Sequence, residues 1–307
     1  MVALSNGGGL HTDTISAVRL EFIRNRGLRP SSLQHRVRRR LSRPTVSQAR
    51  LKLFLGQVNS RPRVRLPAEA PRSVALVVPC YGHMAYLPDM LASIVAQTRP
   101  PDEVVFVDDC SPDGTRDLLG AFIATQQGAS GTQMVLIVND RNLGQSASLN
   151  RGISAASSEL ITILNDDDYL MHDAIETTLA LFGRYKGVAL IGANHVGFAG
   201  HELLASASKM SGDYVPFGRP LTMSRPEQVL DYRLADDLSM THSGLCFFKA
   251  AWEAVGGYQV DKQQRVTSSS DRDFQIRVNA LWPVVAALDI PLAFWRNDSS
   301  VDGDLLS

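Results

Sequence analysis

From Val74 onward the chain alternates short runs of β-branched, apolar residues with longer stretches in which apolar positions recur at helical spacing. The apolar runs fall at residues 74–79, 104–107, 134–138, 160–164 and 188–191, and the helical stretches near 86–97, 115–126, 146–156 and 173–184. Near-continuous apolar strands separated by helices predict an α/β fold, with a mostly parallel central sheet and helices on its faces. Ligands of such sheets bind beyond the carboxyl ends of the strands. The polar clusters stand at those ends: Cys80-Tyr81-Gly82 after the first run, Asp108-Asp109 after the second, Asn139-Asp140 after the third and Asn165-Asp166-Asp167-Asp168 after the fourth. Residues 197–238 are Gly-, Ser- and Pro-containing with weak periodicity, which predicts irregular loops. Beyond them the pattern gives a strand at 244–248, a short helix at 250–255, a longer helix at 271–281 and further strand over 284–295.

Charge divides the chain in two. Residues 1–70 carry 14 Lys and Arg against three acids, a net +11, whereas residues 71–307 carry 17 against 28, a net −11. We therefore expect a basic N-terminal extension over 1–70, partly helical and ending in a linker, before one α/β domain over 71–307. The extension suits a collar that packs on its own domain, or a peripheral contact with an anionic membrane surface. Its only aromatic residues are Phe22 and Phe54, so nucleic acid is not an expected partner. Cys80, Cys110 and Cys246 form neither a CxxC pair nor a dense disulfide framework, and no apolar run reaches the length of a membrane span. These features predict a cytoplasmic protein, with the basic arm a route to the inner face of the membrane.

Three adjacent acids at the end of an apolar strand repel one another, an arrangement that suits a bound cation. The competing account is a helix start at His172-Asp173, where acids are common. Asp109 is placed to contact a ligand, and Asp113-Gly114 to turn the chain into the next helix.

The segments VALVVPCYGHMAYLPDMLASIVAQTRPPDEVVFVDDCSPDGT, NLGQSASLNRGISAASSELITILNDDDYL, GLCFFKAAWEAVGGY and SSDRDFQIRV resemble family 2 glycosyltransferases, inverting enzymes of the GT-A (Rossmann-like) fold, over about residues 74–295. The resemblance implies transfer of a sugar from a nucleotide-sugar donor, a UDP-sugar first among them, to a hydroxyl of a glycan, lipid-linked or other acceptor. It implies a divalent metal, Mn²⁺ or Mg²⁺. It assigns Pro79 and Tyr81, with Cys80, to the nucleoside loop, and Asp109 to the base. It assigns Asn142, Gly144 and Asn150 to the ribose and diphosphate side, Asp167 to the metal, and Asp166 and Asp168 to the donor. Asn165 stands where the family's metal motif begins with Asp. Asp271 matches the catalytic base, although Ser270 replaces the Glu that usually precedes it, and Arg277 matches a donor-side helix arginine. Trp295-Arg296 resembles a closing motif that leads to a metal-binding His; here Asn297-Asp298 follows, making Asp298 the candidate ligand.

A nucleotide-binding oxidoreductase is excluded because no GxGxxG follows the first strand. A sugar nucleotidyltransferase would need a Gly-rich basic loop there. A non-catalytic carbohydrate-binding protein on the same scaffold is the remaining alternative.

Overall fold

The computed structural model describes residues 45–60, 64–126, 131–193, 195–198, 222–224, 226, 240–287 and 291–296. Helix α1 (Thr45–Asn59) precedes β1 (Val74–Cys80), α2 (Leu87–Val95), β2 (Glu103–Asp108), α3 (Thr115–Gln126), β3 (Gln133–Val138), α4 (Gln145–Ala155) and β4 (Leu160–Ile163). Then come β5 (Tyr169–Leu170), α5 (Ala174–Arg184), β6 (Leu190–Ala193), β7 (His195–Phe198), β8 (Thr222–Ser224), β9 (Cys246–Phe248), α6 (Lys249–Val255), α7 (Ser270–Asn279), β10 (Val284–Ala287) and β11 (Ala293–Arg296).

The apolar runs at the centre of the sheet become strands because their side chains are buried on both faces, whereas the run of edge strand β3 stays half-buried or exposed. All seven residues of β1 and all six of β2 are buried. The large sheet runs β3-β2-β1-β4-β9-β6-β10-β8. Strands β1 to β4 pair in parallel, β9 is inserted antiparallel between β4 and β6, and β10 returns parallel to β6. The chain winds outward from β1 to β3 and then resumes on the other side of β1 with β4. That reversal opens a crevice beyond the carboxyl ends of β1 and β4. A second sheet, β5-β11-β7, stands beside it.

Helix α4 closes over β1 and β2 through Gly152. A Cβ on that residue would lie 2.6 Å from Val77 Cγ1 and 2.9 Å from Val107 Cγ2, so only glycine permits this approach. Residues 284–295, read from the sequence as one continuing strand region, divide instead between the two sheets as β10 and β11. Helix α1 packs on the domain: Leu51 is buried in the main core, Arg50 Nη1 donates to the Arg265 carbonyl at 2.9 Å, and the Arg277 guanidinium lies 5.8 Å from the Phe54 ring centroid. No described helix is long and apolar enough to cross a membrane. The three cysteines are free, with Cys80 and Cys246 buried and Cys110 exposed.

Candidate active site

Beyond β1 the chain turns through Tyr81, Gly82 and His83, and beyond β4 through Asn165 to Asp168. These two loops meet. Asp166 is buried, and its Oδ2 accepts the Tyr81 N–H at 2.8 Å while its Oδ1 lies 2.9 Å from His83 Nδ1. Burial raises the Asp166 pKa, and His83 opposes that rise. For His83 burial works downward, but the carboxylates of Asp166, Asp167 and Asp113 outweigh it and raise the imidazole above its ordinary value. Asp167 is half-buried, and its backbone carbonyl accepts from Arg296 Nε at 2.9 Å.

Asp168 points the other way. It is 1% exposed, and accepts from Ser243 Oγ at 2.5 Å, the Arg296 N–H at 2.9 Å and Asn165 Nδ2 at 3.3 Å. Burial, followed by the charge of Asp167, pushes its pKa up to about 8. Asp168 thus pins β9's approach and β11 to the loop, rather than presenting a carboxylate to a donor. The same network accounts for Asn165: its amide accepts from Gln145 Nε2 at 3.0 Å and donates to Asp168. An ionised Asp at this position would accept only.

A second cluster sits beyond β2. Asp109 is buried and accepts from Asn139 Nδ2 at 2.5 Å, Leu143 N at 2.8 Å and Gly144 N at 2.7 Å. It thereby draws the 142–144 loop onto the crevice. Gly144 has φ +84°, and its N–H also meets Asn142 Oδ1 at 3.0 Å. Asp113 is a turn residue as expected, accepting from Thr115 N at 3.1 Å, and it also reaches Met84 N at 3.0 Å. Pro79 and Cys80 are buried inside β1, so of the expected nucleoside loop only Tyr81 emerges. Burial, reinforced by Asp166, Asp108 and Asp113, raises the Cys80 thiol well above its usual range.

Two residues expected on the donor side are packing clamps. The Asn150 amide donates to the Tyr258 carbonyl at 2.8 Å and accepts from Tyr258 N at 2.8 Å and Trp252 Nε1 at 3.1 Å. Arg277 is 1% exposed; it meets Asp273 Oδ2 through Nε and the carbonyls of Val255 and Gly257 through Nη1 and Nη2, each at 2.8 Å. Its guanidinium faces the interior because it neutralises the buried Asp273, and three of its five N–H groups are spent within the protein.

Asp271 is half-buried, the second residue of α7, and the N-cap is Ser269. Phe274, three residues on and on the same helix face, stacks on Tyr258 with centroids 4.4 Å apart. The Tyr258 hydroxyl lies 3.0 Å from His242 Nε2. Burial raises the Tyr258 phenol well above its usual range and lowers His242; the Asp271 charge adds to the first and opposes the second. His242 is followed directly by Ser243, the partner of Asp168, so one peptide connects the acid loop to the surroundings of Asp271. His83, His242 and Tyr258 were not legible as site residues: His83 and Tyr258 lie inside the matching segments but were given no role, His242 lies outside them, and the partners of all three are distant in sequence. Asp298 lies outside the described residues.

The architecture is that of a GT-A transferase: a parallel Rossmann-like half, an antiparallel strand inserted after it, and acids gathered at the switch point. The chain belongs to glycosyl transferase family 2, whose family model matches residues 75–250. It is 33% identical over 105 residues to glycosyltransferase GlyG of Streptococcus pneumoniae, a match covering 34% of this chain and 33% of that protein. It is 34% identical over 102 residues to the succinoglycan biosynthesis protein ExoO of Rhizobium meliloti, covering 33% of this chain and 27% of that one. The matched stretch therefore spans about a third of these relatives. Among solved structures, TarS residues 1–349 of S. aureus in complex with UDP superposes with a TM-score of 0.53 at 17% identity, covering 73% of this chain and 60% of that one. The mannosyltransferase PcManGT of Pyrobaculum calidifontis, in complex with GDP-Man and Mn²⁺, superposes with a TM-score of 0.54 at 15% identity, covering 95% and 70%.

The GT-A fold implies a divalent cation at the acid cluster, and the donor set fits one. Ligand atoms of His83, Asp166 and Asp167 lie within 4.8 Å of one another. An ion with ligand bonds of about 2.0–2.6 Å has a span that matches such a set.

Proposed function

We propose that this chain is a metal-dependent inverting glycosyltransferase, moving a sugar from a nucleoside diphosphate donor to a hydroxyl of a glycan, lipid-linked or other acceptor. The observation that carries this reading is the convergence of the Tyr81–His83 turn, the Asp109-held loop and Asp166-Asp167 at one switch point. Uridine is the favoured nucleoside. A carboxylate accepts about four hydrogen bonds, and Asp109 uses three within the protein, which leaves one for a base N–H. The structural likeness to a UDP complex supports this choice, and the likeness to a GDP-Man complex makes GDP the competitor to test.

Asp167 is the proposed metal ligand, with Asp298 a second from outside the described residues. A bound divalent ion would neutralise charge on the departing diphosphate. Asp271 is the proposed base. It takes the proton of the acceptor hydroxyl as that oxygen attacks the anomeric carbon from the face opposite the diphosphate, and the bond to the diphosphate oxygen breaks as the new bond forms. The basic N-terminal segment, in this reading, brings the domain to an anionic membrane surface where lipid-linked acceptors reside.

Asp271→Asn tests the assignment, because Asn keeps the size and polarity of the side chain but takes no proton. Turnover is expected to fall by about 10²-fold or more, with donor affinity and melting temperature unchanged. Asp167→Ala should abolish transfer in a folded protein. Full activity in excess EDTA would remove the metal from the mechanism.

A further inference from the structure

His83 is held between two loops. Its carbonyl accepts the Tyr86 N–H at 2.9 Å, closing the turn into α2, and its ring lies 5.8 Å from the Tyr86 ring centroid. Its side chain is 16% exposed and that of Asp166 7%. With Nδ1–H donating to Asp166 at 2.9 Å, the imidazole carries its lone pair on Nε2. That atom is fully buried and has no hydrogen-bond partner among the described residues. A buried polar atom left unsatisfied has lost its hydration without compensation, and such an orphan in a native protein calls for an occupant. No hydroxyl or amide of the described residues satisfies it, and the charges that act on the ring are the carboxylates of Asp166, Asp167 and Asp113.

Resting on the reading that a divalent cation binds at Asp167, we infer that His83 is a nitrogen ligand of that cation, through Nε2, with Asp166 as the carboxylate that orients the ring. A metal-bound histidine almost always donates its other ring N–H to a carboxylate or carbonyl, which fixes both tautomer and direction. His83 and Asp166 have that relation before any ion arrives, and a ring nitrogen of His83 lies within 4.8 Å of carboxylate oxygens of Asp166 and Asp167. The third member of the acid run then has its own task, because Asp168 is taken up by Ser243 and Arg296. An imidazole in the ligand set has a chemical consequence. All-oxygen sites suit Mg²⁺, Ca²⁺ and Mn²⁺ alike, whereas an imidazole ligand favours first-row transition ions, Mn²⁺ least among them, over Mg²⁺ and Ca²⁺. His83 thus sets which metal this chain selects.

Pulsed EPR on the full chain loaded with Mn²⁺ tests this directly. ¹⁴N coupling to Mn²⁺ is expected in the wild type and absent in His83→Gln, whose Mn²⁺ affinity falls about 10-fold or more while Mg²⁺ affinity falls less. Bound Mn²⁺ without ¹⁴N coupling in the wild type overturns the inference, and that measurement needs no variant to fold. Unchanged Mn²⁺ affinity in folded His83→Gln overturns it equally. Asp167→Ala separates the two levels: if it loses Mn²⁺ while His83→Gln keeps it, the metal site stands and the role of His83 falls. If Asp167→Ala also keeps Mn²⁺, the reading beneath it falls.

Discussion

Asp109 illustrates how one side chain both builds and serves a site. Its carboxylate gathers an amide and two backbone N–H groups from residues 139–144, so the loop beside the crevice exists in its observed shape because an acceptor with two oxygens stands beneath it. Asp109→Asn keeps the outline but turns one oxygen into a donor that faces other donors. The expected cost is about 1–3 kcal/mol of stability, together with weaker UDP binding. Thermal melting and titration calorimetry with UDP and GDP read both effects. UDP affinity equal to wild type would confine Asp109 to loop support, and equal wild-type affinity for UDP and GDP would remove the preference for uridine.

Helix α7 carries two acids with opposite fates. Asp271 is half-buried in the first turn, whereas Asp273 is buried and bonded to Val266 N and to Arg277. The i to i+4 spacing of Asp273 and Arg277 makes the pair possible, and the carbonyls of Val255 and Gly257 complete it by tying α7 to the end of α6. Arg277→Leu leaves the buried Asp273 without its counter-charge, at an expected cost of about 3–5 kcal/mol in urea denaturation. Arg277→Lys retains the charge but loses the planar fork, and should unfold at an intermediate urea concentration. Donor affinity of the folded Lys variant is expected to equal that of the wild type. A selective loss of donor affinity without loss of stability would return Arg277 to the donor side.

Across the molecule, the acidic domain and the basic segment before it are joined by more than charge. Leu51 of α1 is buried in the same core as β1 and β2, and Arg50 bonds the Arg265 carbonyl. Leu51→Ala should therefore cost about 2–5 kcal/mol, as expected for a core leucine and not for a residue on a free arm. Chemical denaturation measures this, and a loss below about 0.5 kcal/mol would place α1 outside the cooperative unit.

Strands β1, β2 and β4 were readable because each is buried on both faces, which demands a continuous apolar run, while the edge strand β3 is only partly covered. The acid clusters were readable as a site because chain winding obliges strand ends to converge at one edge. What each acid does was not readable. Asp166, Asp167 and Asp168 are chemically identical and adjacent, and their fates depend on partners far along the chain: Tyr81 and His83 for the first, Ser243 and Arg296 for the third. For the same reason Asn150 and Arg277 looked like ligand contacts until their partners at Trp252, Tyr258 and Asp273 were in place. Local pattern encodes burial and periodicity, which set the elements. The direction of a polar side chain is set by which donor or acceptor the fold brings within about 3 Å, and that distance exists only once the chain has closed on itself.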